Sequence, residues 1–365
     1  MKRFAAVVAA LLLIPAVSVK ASSPPELSAV SAILMDAESG RVLFEQNAHE
    51  ERAIASITKL MTALVAVEYG HDGAEEVTIR PEWTGIEGSS IYLRAGEVVT
   101  LETLLYGLLL NSGNDAAVAV AAHCAGSEDA FVEQMNQCAN RLGMKHSHFT
   151  NPNGLSEEGH YSTAYDMALL AQACMENETV SGIVATKSIT LGTRTFTNHN
   201  KLLWRYEGCT GMKTGYTEAA GRTLVSSAQR NGQTLIAVTL NAPNDWSDHT
   251  SLFDYGFDHF TRSTLCTGNT VFRQVPVQGS LIRFLPVVIE HDLYYPLADG
   301  EQVQSKIELD PVVSAPIKAG ERLGTLSFYL NEKLIGKTDL VAGHAVCVDV
   351  IAPQTIWDRL RTFVN

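Results

Sequence analysis

The hydrophobic pattern of this 365-residue chain changes period near Thr264, and that change restricts the fold more than any other feature. Downstream, residues 271–277, 281–289, 302–309, 322–330 and 333–340 are short apolar or alternating runs divided by Gly279, Gly300, Gly320 and Asn331-Glu332. Runs of that length between turn residues predict strands without helices, the spacing of a small all-β sandwich. Upstream, helical and strand-like periods mix. The length allows two cores, so a mixed domain over 22–263 and an all-β domain over 264–350 are expected.

In the upstream part, residues 29–35 and 42–44 flank Asp36-Ala37-Glu38-Ser39-Gly40 and read as a hairpin. Leu60, Met61, Leu64 and Val65 recur at helical spacing after Ser56, with no Gly or Pro before Gly70, so a buried helix should open at about Ser56. Residues 75–99 read as short strands and turns. Helices are expected over 101–110, 115–124, 128–142, 164–176 and 246–260, and strands over 187–196, 222–228 and 233–240. A hairpin, then helices, then late strands and a closing helix describe an α+β domain in which one sheet packs against helices.

Positions three apart share a helix face, so the Lys59 amine can reach the Ser56 hydroxyl and act as its base if its pKa is lowered. Ser-x-x-Lys alone says little, because Ser is a common N-cap and short patterns recur by accident. Two further stretches change its weight. Ser112-Gly113-Asn114 links two expected helices, and Lys213-Thr214-Gly215 precedes Tyr216 and a strand-like run from Thr223. The three in this order are the motif set of penicillin-binding proteins and class A β-lactamases. Asn114 and Asp115 also have an ordinary role open to them as N-caps.

Asn151-Pro152-Asn153-Gly154-Leu155-Ser156, Gly159-His160-Tyr161-Ser162-Thr163-Ala164 with Asp166, Phe196-Thr197-Asn198-His199-Asn200 with Leu202, and Tyr216-Thr217 through Ala220-Gly221 extend the similarity. Over about residues 28–350 the chain resembles low-molecular-weight D-alanyl-D-alanine carboxypeptidases. The resemblance implies a penicillin-recognising transpeptidase/β-lactamase-like domain acting on peptidoglycan stem peptides that end in D-Ala-D-Ala, with β-lactam antibiotics as inhibitors. It implies Ser56 as nucleophile, Lys59 as base, Ser112 within hydrogen-bond reach of Lys59 as proton relay, and Asn114 holding the substrate amide. Lys213 and Thr214 would read the terminal carboxylate, and the backbone N–H groups of Ser56 and Tyr216 would hold the oxyanion. Gly215 would leave room for an extended peptide laid along its strand. Lys59 must be neutral to accept a proton, and burial together with the charge of Lys213 would favour that.

Two positions depart from the family pattern. Tyr216 stands where His is frequent, and no Arg lies near Asn244-Asp245-Trp246, where a carboxylate-binding Arg is expected. A class A-like β-lactamase would need a water-activating Glu, and Glu157 and Glu158 lack the Glu-x-x-Leu-Asn setting. A non-catalytic penicillin sensor or scaffold would keep all three motifs, and release of D-alanine separates it from the enzyme.

A net charge of −13 with no Lys/Arg block argues against a nucleic-acid partner. Residues 1–21 read as a secretory signal, with Lys2 and Arg3 ahead of an apolar run broken by Pro15. An exported enzyme at the outer face of the membrane or in the cell-wall space is therefore expected. Cys124, Cys138, Cys174, Cys209, Cys266 and Cys347 form no C-x-x-C pair and no His-rich spacing, so no metal and no cofactor are expected, and mostly free, buried thiols are. In 351–365, Ile356, Trp357, Leu360, Phe363 and Val364 recur at helical spacing. This resembles the family's amphipathic C-terminal anchors and implies a peripheral membrane contact; a helix packed on the β domain is the other reading.

Overall fold

The computed structural model describes residues 24–349. The signal expected over 1–21 and the tail over 351–365 lie outside the described residues.

The first domain is three layers deep. Its antiparallel sheet runs in the order Val42–Gln46, Ser31–Asp36, Gln233–Leu240, Gly221–Arg230, Cys209–Gly211, and Thr214–Thr217 lies beside the start of Gly221–Arg230. Side chains alternate along a strand, so each central strand serves two cores. Ile33, Met35, Val225, Ile236 and Val238 face the helical cluster, whereas Leu34, Leu224, Leu235 and Ala237 face the closing helix Asp245–His259 through Leu252 and Phe253.

The helical layer holds α1 (Lys59–Glu68), α2 (Leu101–Leu110), α3 (Asn114–Ala125), α4 (Glu128–Leu142), α5 (Ala164–Glu176) and α6 (Glu178–Ala185). Residues 59 to 66 of α1 are all buried, so this helix has almost no polar face and is wrapped by the others. Side-chain oxygens of Thr100, Ser127 and Thr163 accept from the first free N–H groups of α2, α4 and α5, the local reason those helices start where they do. Helix α6 was not anticipated. Asn177 opens it by accepting from the N–H groups of Thr179 and Val180. The single strand expected over 187–196 is a hairpin, Ser188–Leu191 with Arg194–Thr197, because Gly192 adopts positive φ between them.

The second domain is all-β. Its six-stranded sheet runs Val303–Leu309, Arg322–Leu330, Lys333–Ala342, Phe284–Ile289, Val271–Gln278, Val313–Ser314, antiparallel except for the last pair. A ribbon of Phe260–Cys266 with Leu293–Ala298 packs on it through Leu265, Cys266 and Leu293. Strand 284–289 starts later than expected, and Leu281 is left exposed. Between the domains, the Arg41 guanidinium donates to both oxygens of Glu301 at 2.6 and 2.7 Å and to the Pro296 carbonyl, and lies over the Phe260 and Tyr295 rings. The six cysteines are free, though only Cys138 and Cys174 are buried. No described helix is long and apolar enough to cross a membrane.

Candidate active site

The chain reaches Ser56 through a strained turn. Ala55 has φ of 53°, and residues 55–58 form a 3-10 turn before α geometry begins at Lys59, so the helix expected at Ser56 opens three residues later than its first turn. Of the five described residues other than Asn and Gly with positive φ, three sit at the motifs: Ala55 beside Ser56, Ser112 itself at 60°, and Met212 beside Lys213 at 88°. Each costs on the order of 1–3 kcal/mol, and such strain persists only where packing over-determines it. Here the packing is visible. The Cα of Gly154 lies so close that a Cβ there would come within 2.1 Å of the Ala55 carbonyl, and Thr223 Oγ1 donates to the Ile54 carbonyl at 2.9 Å.

Lys59 is fully buried, and its Nζ has three neighbours: Ser56 Oγ at 2.9 Å, Asn114 Oδ1 at 2.7 Å and the Asn153 carbonyl at 2.5 Å. Burial pushes its pKa well below the usual lysine range, the charge of Lys213 lowers it further, and Asp115 opposes both. A neutral amine has two N–H donors and one lone pair. Two of its neighbours are carbonyl oxygens, which only accept, so the lone pair is directed at the Ser56 hydroxyl.

Ser112 lines the same cleft as Ser56. The expected hydrogen bond between Ser112 and Lys59 is absent among the described residues, because Ser56, Asn114 and Asn153 already surround the Lys59 amine. Asn114, expected to hold the substrate amide, has partners in the free protein. Its Oδ1 accepts from Lys59 and its Nδ2 donates to the Glu87 carbonyl, so both ends of the amide are engaged. Asp115, at the start of the same helix, accepts from Ser90 Oγ and from the N–H groups of Ile91 and Leu93, which holds the 88–93 loop beside the cleft.

On the opposite wall, Lys213 and Val225 exchange two backbone hydrogen bonds of 3.0 and 2.9 Å. An antiparallel ladder alternates bonded and non-bonded pairs, so the Thr214–Leu224 and Tyr216–Arg222 pairs turn their backbone groups away from the sheet. The N–H of Tyr216 thereby faces the open edge, beside Ser56. Gly215 has a further reason to be glycine. A Cβ there would lie 2.4 Å from Thr223 Oγ1 and 2.9 Å from the Ser56 nitrogen, so its lack of a side chain lets the strand close on the nucleophile turn.

Lys213 is buried under this strand, donates to the Thr214 carbonyl at 2.8 Å, and has its pKa lowered to about 7 by burial. Two cations line the cleft itself, Lys201 and Arg222. Arg222 pairs with Asp245 at 2.8–3.0 Å, lies over the Trp246 ring, and keeps 42 % of its side chain exposed. Sequence reading looked for an arginine along the chain near Asp245; the strand pairing delivers one from 23 residues away. Ser56, Ser112, Thr214, Gly215, Tyr216 and Arg222 thus line one cleft of about 340 Å³, with Lys59, Asn114 and Lys213 just beneath its surface.

Sequence reading also missed Asn153 and His160. His160 Nε2 lies 2.8 Å from Thr58 Oγ1 while its Nδ1 accepts from the Thr150 N–H, and burial lowers its pKa to about 4. Glu157 caps the same loop through Thr150 and Asn151, facing solvent.

Residues 18–244 match the family model described as D-alanyl-D-alanine carboxypeptidase, and 260–347 match that of the penicillin-binding protein 5 C-terminal domain. The chain is 34% identical to the D-alanyl-D-alanine carboxypeptidase DacF of Bacillus subtilis over 329 residues, 86% of this chain and 85% of the relative. It is 33% identical to DacD of Escherichia coli, covering 88% of each. Among solved structures, penicillin binding protein 5 of Haemophilus influenzae superposes with a TM-score of 0.76 at 30% identity, over 89% of this chain and 99% of that one.

Proposed function

The chain belongs to the D-alanyl-D-alanine carboxypeptidase family, and from that membership we propose how its residues carry out the reaction. The activity is serine-type hydrolysis of a terminal D-Ala-D-Ala bond in peptidoglycan stem peptides, and the protein binds penicillin. Ser56 Oγ attacks the carbonyl of the penultimate D-alanine and gives its proton to Lys59. The N–H groups of Ser56 and Tyr216 stabilise the oxyanion as it forms. Collapse expels D-alanine, whose amine takes a proton from the Ser112 hydroxyl; with no direct Ser112 to Lys59 bond in the free protein, water or the substrate bridges them. Water then hydrolyses the ester and frees Ser56. Asn114 holds the substrate amide by exchanging its Glu87 partner for it.

The observation that carries this reading is the environment of Lys59, whose two carbonyl neighbours leave its lone pair to Ser56. Labelled penicillin followed by peptide mapping tests it, alongside D-alanine release from a D-Ala-D-Ala peptide. Ser56→Ala should take no label and lose on the order of 10⁴-fold or more in kcat. Label persisting in that variant would move the nucleophile elsewhere.

The remaining assignments rest on the sequence. Residues 1–21 direct export, 22–263 form the catalytic unit, 264–350 support and space it, and 351–365 contact a membrane surface. Liposome flotation with and without residues 353–365 decides the last of these, and equal behaviour removes it.

A further inference from the structure

A second cluster of chemistry-bearing side chains lies at the other end of the catalytic helices. Beyond the C-terminal end of α1 the chain turns at 72–75, where the Asp72 N–H donates to Glu75 Oε1 at 2.7 Å. Glu75 Oε2 then lies 3.2 Å from His71 Nδ1 and 2.9 Å from His123 Nε2, the latter in the last turn of α3. The three ligand-type atoms all lie within 4.8 Å of one another.

His71 Nε2 lies 3.1 Å from the Cys124 carbonyl, which can only accept, so the proton of a neutral ring is on Nε2 and the lone pair is on Nδ1. That lone pair points at a carboxylate oxygen, also an acceptor. Two acceptors at 3.2 Å need a cation between them, either a second ring proton, which makes His71 an imidazolium paired with Glu75, or a metal ion. A second-ring N–H donated to a backbone carbonyl is the usual way a metal-ligating histidine is oriented. His123 Nε2, 2.9 Å from the same Glu75 oxygen, is the second ring nitrogen aimed at this point, and with its proton on Nδ1 it presents a lone pair there.

We propose that His71, Glu75 and His123 bind a zinc ion that clamps together the far ends of the two helices carrying Lys59 and Asn114. Two imidazoles and one carboxylate are a donor set that Zn²⁺ takes with an exchangeable fourth ligand, and ligands at about 2.0–2.1 Å in a tetrahedron sit about 3.3–3.4 Å apart, near the 3.2 and 2.9 Å that separate Glu75 Oε2 from the two rings. The three side chains are only part-buried, and a cavity of about 590 Å³ lined by His71, Glu102 and Tyr106 gives water or a small anion access to the fourth position. Helix α1 is ten residues long, so the ion lies on the order of 15 Å or more from the Lys59 end. Its effect is therefore on the rigidity of the helical layer, which Lys59 and Asn114 already join at the catalytic end through a 2.7 Å hydrogen bond. The sequence concealed the site because His123 is 48 residues from Glu75.

Untagged, chelator-stripped mature protein titrated with ZnCl₂ should bind one ion per chain with Kd below about 10 µM, and its Tm should rise with zinc but not with magnesium. X-ray absorption should show only nitrogen and oxygen at about 2.0–2.1 Å. His123→Ala and Glu75→Gln should each weaken zinc binding by at least about 100-fold, while D-alanine release by the stripped proteins stays within about twofold of the stripped wild type. No stoichiometric binding, unchanged affinity in both variants, or a first shell of sulfur at about 2.3 Å would each overturn the assignment, and the absorption measurement on the wild type stands even if a variant fails to fold.

Discussion

Lys59 and Lys213 are both buried lysines a few residues from the same cleft, yet they sit in opposite kinds of wall. Around Lys59 the chain is held at several points. The Ala55 turn is pressed by Gly154, closed by Gly215 and tied to Thr223, and the Lys59 amine is held by three neighbours. Around Lys213 the strand ends in an open edge, with Tyr216 66 % exposed and the Arg222 side chain partly in solvent. Proton transfer needs atoms fixed to within tenths of an ångström, whereas recognition of an extended peptide needs unpaired backbone groups and a charge that can be reached. The two walls divide these requirements between them.

The division is broken most forcefully at Lys59. Lys59→Ala should lower the acylation rate about 10³–10⁴-fold, the value of a positioned base, and do so equally for a D-Ala-D-Ala peptide, its C-terminal amide and penicillin. Stopped-flow acylation with all three checks it. A loss confined to the free acid would place Lys59 on the recognition side.

Lys213→Ala is the complementary change. It should cost on the order of 2–5 kcal/mol in kcat/KM for the free acid and little for the amide, the pattern of a broken, desolvated charge pair. Its pKa near 7 adds a pH signature. A bound carboxylate stabilises the protonated form, so binding takes up a proton, and KM for the free acid should rise as pH climbs above about 7 while KM for the amide stays flat. The competing role is also measurable. Because the charge of Lys213 lowers the pKa of Lys59, its removal raises that pKa and moves the acid limb of the pH–rate profile upward for every substrate.

The committed character of the Lys59 wall should appear in stability as well. His160 titrates at about 4 in the folded protein against 6.5 for the ordinary group. A depressed pKa means that the unfolded state binds more protons between those values, so this contribution is complete above pH 6.5 and is lost as pH falls towards 4, on the order of 3 kcal/mol. Urea melts at stepped pH should show that slope, and His160→Gln should flatten it. An unchanged slope would mean that the Thr58 to His160 contact does not hold this wall.

How much of this was legible follows the same line. Ser56 and Lys59 were readable because their contact depends on one helical turn, and the outer strand was readable because Lys213 to Gly215 precede an alternating run. Asn153 and Gly154 stand in a family motif, but the sequence hides their purpose: the Asn153 carbonyl meets a lysine 94 residues away, and the Gly154 Cα meets the backbone of residue 55. Loop backbone that packs on a distant turn leaves no periodic trace. Helix α6 was missed although Asn177 ahead of Val180, Ile183 and Val184 carries a capping signal, because eight residues are too few for a clear period. The β domain was legible as a set of strands, whereas the pairing of 260–266 with 293–298 depends on register that single-strand patterns do not encode.

Arg222 should give the smallest effect of the three cations. Its guanidinium lies in the cleft, facing Trp246, and one carboxylate, Asp245, already takes two of its N–H donors. With nearly half of the side chain in solvent, its pull on a substrate carboxylate is screened, and pairs of that kind contribute about 0.2–1 kcal/mol. Arg222→Gln should therefore raise KM for the free acid by no more than about fivefold and leave kcat and penicillin acylation unchanged, with salt weakening the wild-type advantage. Lys213 carries the larger share because it is desolvated, and a fixed charge in a dry setting acts on a carboxylate far more strongly than one in water. Steady-state kinetics of both single variants and the double variant at low and high salt decide between them. If Arg222→Gln costs more than Lys213→Ala for the free acid, carboxylate reading belongs to the exposed arginine, and the buried lysine serves the Lys59 wall instead.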